Sequence, residues 1–203
     1  MSATRAMRKL NQRIVKHLQL PSTDDHLIDA IGKALNEVRE RTVLLRAIPL
    51  PPNLPSGLWV DQTHQDLIAY EATATLEHQL VIIGHEVWHM FSGHCGAATP
   101  QGPAAQRALD SHSADALREV MRVISDIDAN DAPSVEDMDA SLHVALRSSR
   151  DGAHQEVEAE AEFFGLQFAT AVNSAVTEAR TTADPANLVG RIQASMAHRF
   201  RRP

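Results

Sequence analysis

The chain has 203 residues, 43% of them hydrophobic and 22% charged, with a formal charge of −7. That length suits one domain with a substantial core, and that balance excludes a largely disordered chain. The acidic sign argues against general nucleic-acid binding, and a single cysteine, Cys95, excludes an intrachain disulfide and suits a reducing cytosol.

The first predicted element is a helix over residues 5–18, where Leu10, Ile14 and Leu18 recur at helical spacing. Its cations, Arg5, Arg8, Lys9, Arg13 and Lys16, together with Arg199, Arg201 and Arg202 at the far end, read as basic, solvated termini. No apolar run is long enough for a secretion signal or a bilayer span, so the expected location is cytoplasmic. A second helix is expected from Ser22, a candidate cap with Asp24 and Asp25 in the first turn, to about Arg39, burying Leu27, Ile28, Ile31, Leu35 and Val38. "RTVLLRAI" reads as a strand and the proline-rich "PLPPNLPSG" as a loop. "GLWVD" at 57–61 and "DLIAYE" at 66–71 follow as a hairpin, giving about three strands.

From about Thr75 the period becomes helical through Leu76, Leu80, Val81, Gly84, Val87, Trp88 and Phe91, with Gly93 and Gly96 as a stop. Amphipathic helices are expected over 113–129 and again after Ser134, and a last long helix over 153–179.

The helix from Thr75 carries "GHEVWHMFSGH". Residues four apart on a helix share a face, so the imidazoles of His85 and His89 converge on one point, and Glu86 is placed to reach a water there. This is the H-E-x-x-H pattern, in which two histidines bind zinc and the glutamate is the general base. Zinc lowers the pKa of water to roughly 7, giving a nucleophile for a peptide carbonyl. A catalytic zinc takes three protein ligands, and the segment "EVEAEAEFFGLQFA" at 156–169 is the expected source of the third. On a helix its glutamates form like-charge pairs four apart, Glu156 with Glu160 and Glu158 with Glu162, a repulsion that a cation relieves. Glu160 is the first choice because Phe164 and Phe163 follow on its side, and Glu156, one turn earlier, is the next.

These features resemble the ImmA/IrrE-type metallopeptidases, over about residues 24–100 and 153–172. The resemblance rests on "GLWV", on "IAYE" before the helix, on His85-Glu86-x-x-His89 followed by Gly93-His94, and on Glu160-Ala161-Glu162-x-Phe164. It implies a zinc ion on His85, His89 and Glu160, Glu86 as catalytic base, and a protein substrate, typically a helix-turn-helix repressor encoded nearby. It also implies a single α+β, zincin-like domain over 1–203, with a small, mostly antiparallel sheet of about three strands packed on helices and a C-terminal helical part. Three departures stand out: Trp88 where the family has glycine, Gly165 where it has alanine, and a longer path to the third ligand that makes 97–152 a helical insertion. The alternative reading is a non-catalytic, toxin-like or regulatory module that binds a partner on the same scaffold.

Other residues near the motif have plainer readings. His94 suits a helix end, Cys95 a small buried apolar position, and Tyr70 the core rather than an oxyanion contact. An open edge on strand 66–71 would let an extended peptide add to the sheet.

Overall fold

The structure, a computed structural model, describes residues 3–20, 24–50, 55–62, 64–92, 122 and 152–183. In chain order the elements are helix α1 (Ala3–His17), a short 3-10 turn (Asp24–His26), α2 (Leu27–Arg39), strands β1 (Thr42–Ile48), β2 (Gly57–Asp61) and β3 (Gln65–Glu71), then α3 (Leu76–Ser92) and α4 (Gly152–Ala183). The expected class, α+β with a three-stranded sheet, holds. No helix among the described residues is long and apolar enough to cross a membrane.

The helices form where the apolar spacing predicts them, but the start of α2 differs. It begins at Leu27 after the 3-10 turn, with His26 at its N-terminal boundary and no side-chain cap; Ser22 lies outside the described residues. At its other end Glu40 takes the left-handed conformation and its N–H donates to the Asn36 carbonyl. Asn36 Oδ1 then accepts the Val43 N–H at 2.6 Å, so one side chain turns the chain from helix into strand.

The sheet is mixed rather than mostly antiparallel. Its order is β1-β3-β2, with β1 parallel to β3 from Thr42↔Gln65 to Ile48↔Glu71, and β2 antiparallel to β3 from Gly57↔Tyr70 to Asp61↔Asp66. The hairpin is as expected, but β1 and β2 lie on opposite sides of β3, so their connection crosses from one flank of β3 to the other. Glu71 organises that crossing: its N–H donates to Ser56 O at 2.9 Å, and its carboxylate accepts the N–H groups of Leu50 at 2.9 Å and Thr73 at 2.8 Å. The Thr73 N–H and hydroxyl and the Leu50 N–H, all donated to it, hold the Glu71 carboxyl below the usual carboxylate range. With β3 central and paired on both sides, the strand 66–71 has no open edge; the terminal strand beside α3 is β2.

Alternation along the strands divides the apolar residues between the two faces. Trp59, Ile68 and Tyr70 face the helices and join Met7, Ile14, Ile31, Leu35, Ile83, Val87, Phe164 and Phe168 in the main core. Leu58, Val60, Leu67 and Ala69 gather with Ile48 on the other face. Each fully buried side chain of this size contributes about 1.5–3 kcal/mol of transfer free energy.

The contact between α3 and α4 positions the site. Gly84 on α3 meets Gly165 on α4, and a Cβ built on Gly84 would lie 2.9 Å from Gly165 Cα and 2.8 Å from Phe168 Cβ. A Cβ on Gly165 would lie 2.5 Å from the Val81 carbonyl oxygen. Only glycine at both positions lets the two backbones touch.

Candidate metal centre

Directly after Gly84, and one turn further on, α3 presents His85 and His89 toward α4. Their Nε2 atoms are 3.1 Å apart and the rings meet edge to face, with centroids 4.8 Å apart at 61°. Glu158 faces them from α4. Its two carboxylate oxygens lie 3.6 Å from His85 Nε2 and 3.5 Å from His89 Nε2. Donors about 2.0–2.2 Å from a tetrahedral ion stand roughly 3.3–3.6 Å apart, so this triangle has the dimensions of three zinc ligands. Two imidazoles and a carboxylate also suit a borderline cation by type.

The helix contact explains why Glu158 is the residue delivered. It precedes Gly165 by two turns and so lies on the same face of α4, the face that buries Ala161, Phe164, Phe168 and Val172. Glu160, expected as the third ligand, sits about 200° further round the helix. There it lines a separate hollow with Lys9, Arg13 and Trp88, and it does not join the histidines. Glu156, the second choice, is exposed one turn earlier. Phe163, which pointed to Glu160 by following on its side, does not tie that side to the core; it is 49% exposed.

Glu86 is 7% exposed and points toward β2. A Cβ on Gly57 would lie 2.7 Å from its Oε1, so the strand's glycine makes room for the acid. Burial, with the Glu158 charge, pushes the Glu86 carboxyl up to about 7, against the opposing pull of His85 and a hydrogen bond from the Trp59 backbone N–H. Burial of His85 disfavours its protonation, but the hydrogen bond with Glu158 and the charges of Glu86, Glu158 and Glu162 outweigh it, and the net direction is upward.

Beside the cluster opens a cleft of about 330 Å³, lined on one side by Gly57 and Leu58 and on the other by His85, Glu86, Glu158 and Leu166. That is room for several waters or for part of a chain. Trp88 does not crowd it: the indole is 6% exposed and stacks on Phe164, with centroids 5.2 Å apart. Tyr70 is 5% exposed in the main core, where burial and Asp29 raise its pKa against the pull of Arg46. His94, Cys95 and nearly all of the expected insertion at 97–152 lie outside the described residues.

Gly165 was the signal that sequence reasoning passed over. Taken there as a departure from a family pattern, it marks the point of closest backbone approach, and counting back two turns from it reaches Glu158. Compared with models of known protein families, with curated proteins and with solved structures, the chain gives no match.

Proposed function

We propose that this chain is a zinc-dependent endopeptidase, with the ion held by His85, His89 and Glu158 and with Glu86 as general base. The observation that carries the reading is the conjunction of a triangle of donors at zinc-ligand spacing with a buried carboxyl poised near neutrality beside it. A zinc ion there supplies Lewis acidity, polarising a carbonyl and bringing water within reach of deprotonation near pH 7.

The chain's own residues supply the rest. Glu86, held between Gly57 and the Trp59 N–H beside the histidine pair, would accept a proton from water there and return it to a leaving amine. Terminal strand β2 borders the cleft through Gly57 and Leu58, so an extended peptide laid along it passes the base. The likeness of "GHEVWHMFSGH" to the ImmA/IrrE pattern supports a cytosolic protein substrate, with a helix-turn-helix repressor as the first to try.

The test uses zinc-loaded protein, a co-encoded repressor and a chelator control. Glu86→Gln should keep one zinc per chain by mass spectrometry while cleavage falls by about 10²–10⁴-fold, the usual contribution of a general base. Cleavage by that variant at the wild-type rate would remove Glu86 as the base, and no cleavage by the zinc-loaded parent would leave only a metal-binding, non-catalytic module.

A further inference from the structure

A second hollow, of about 690 Å³, lies between α1 and α4. Arg8, Gln12 and Lys16 line one wall, and their four-residue spacing makes them a single row about 12 Å long. Leu166 and Thr170 form the facing row on α4, and Val15 and Ala171 help make the surface between them mostly apolar. Leu166 is 58% exposed and Phe163, one turn earlier on the same helix, is 49% exposed, so apolar surface extends beyond the groove itself. Asn11 also lines it, 8% exposed, with a buried side-chain oxygen that has no hydrogen-bond donor. Such an orphan acceptor costs stability unless an occupant satisfies it.

The charge of this region is opposite to that of the chain. Helix α1 carries Arg5, Arg8, Lys9, Arg13 and Lys16 and no acid, within a molecule of formal charge −7. Leu166 also lines the metal cleft, so the groove and the cleft meet at that side chain.

We propose that the α1–α4 groove docks an acidic amphipathic helix of a protein partner. The groove's length accommodates about two turns, its apolar floor takes side chains at i, i+3 or i+4, and i+7, and the Arg8–Lys16 row faces carboxylates on the helix flank. A chain leaving this helix at the Leu166 end enters the cleft, so the same partner presents its neighbouring segment to the metal cluster. A nucleic acid fits poorly, because an apolar floor contributes nothing to phosphate contacts and the acidic remainder of the chain repels a long polyanion. The proposal concerns binding, and its test reads no hydrolysis, so it stands or falls apart from the endopeptidase reading.

The experiment measures fluorescence anisotropy of labelled peptides on the full chain. Two helical peptides share one leucine stripe and carry glutamates or lysines elsewhere; a third has the glutamates without the stripe. The acidic amphipathic peptide should bind at least about tenfold more tightly than either of the others, the order of change expected from rim charges together with apolar anchors. Arg8→Glu combined with Lys16→Glu should remove that preference, and Leu166→Glu should weaken binding by a similar factor. Gln12→Lys, which adds a cation to the row on an exposed surface, should tighten it several-fold and covers the case in which the charge reversals fail to fold. Absence of binding, equal binding of acidic and basic peptides, or tighter binding of a DNA duplex or anionic vesicles than of the acidic peptide overturns the proposal.

Discussion

Among the described residues acidic groups are buried in two places, and their surroundings differ. At the start of β3, Asp66 is fully buried, and its carboxylate meets Arg39 Nε at 3.0 Å, Trp59 Nε1 at 3.0 Å and Arg41 Nη1 at 3.7 Å. Arg41 also reaches Asp61 at 2.9 Å, so two guanidinium groups face two carboxylates and the chain supplies every partner. In the cleft, the charges of Glu86, Glu158 and Glu162 act on His85, and the described residues that line it include no arginine or lysine. Burial, and after it the Glu158 charge, pushes Glu86 toward neutrality, while the Glu158 hydrogen bond and the neighbouring negative charges push His85 toward protonation. A buried carboxylate alone is therefore no mark of function. Guanidinium groups at fixed distances make the Asp66 group a structural network, whereas the cleft gathers a carboxylate onto two imidazoles, a donor set that could hold a divalent cation.

The largest expected effect tests the structural half of this contrast. Asp66→Ala leaves Arg39, Arg41 and the Trp59 indole without their acceptor, and should cost about 3–5 kcal/mol in denaturant unfolding while zinc stoichiometry stays the same. On the other side, Glu158→Ala should weaken zinc binding by more than about 100-fold in competition titrations, since even second-shell partners are worth 10–100-fold, whereas Glu160→Ala should leave it unchanged. Equal losses from the two variants would mean that the acidic stretch acts only through its overall charge.

Gly165→Ala sharpens the link between packing and site. The added methyl would sit 2.5 Å from the Val81 carbonyl, so the helices must part, at about 1–3 kcal/mol of overpacking partly offset by alanine's better helix propensity. Zinc affinity should fall with stability, because the ligands come from both sides of the contact. The smallest effect belongs to Glu71. Its folded-state pKa is lowered, so its contribution is present above its unfolded value near 4.5 and lost as pH falls through the folded one. Glu71→Gln should therefore be less stable than the parent at pH 7 and indistinguishable from it in sufficiently acid solution, by parallel denaturation curves.

Much of this arrangement was legible in the residues. His85, Glu86 and His89 are placed by a helical period strong enough to read directly, and branched residues mark each strand. What failed were features decided by tertiary contact. The order β1-β3-β2 depends on a proline-rich crossing held by Glu71, and no local pattern reveals which edge a loop will join. The structure brings Glu158 to the histidines where the sequence pointed to Glu160, because Phe163 and Phe164 look alike in sequence, though one faces solvent and the other is fully buried. Only the approach of Gly84 to Gly165 fixes the rotation of α4, and that belongs to the pair of helices rather than to either one.

The division of ligands between α3 and α4 has a thermodynamic corollary. An ion on His85, His89 and Glu158 is also a clasp across the seam between two helices that lie far apart along the chain, where loop closure is entropically expensive. Since the unfolded polypeptide has no such clasp, linkage adds about 4 kcal/mol to the folded state once free zinc exceeds its dissociation constant a thousandfold. On the proposed reading, the supply of metal would thereby set how long the polypeptide survives as well as what it does.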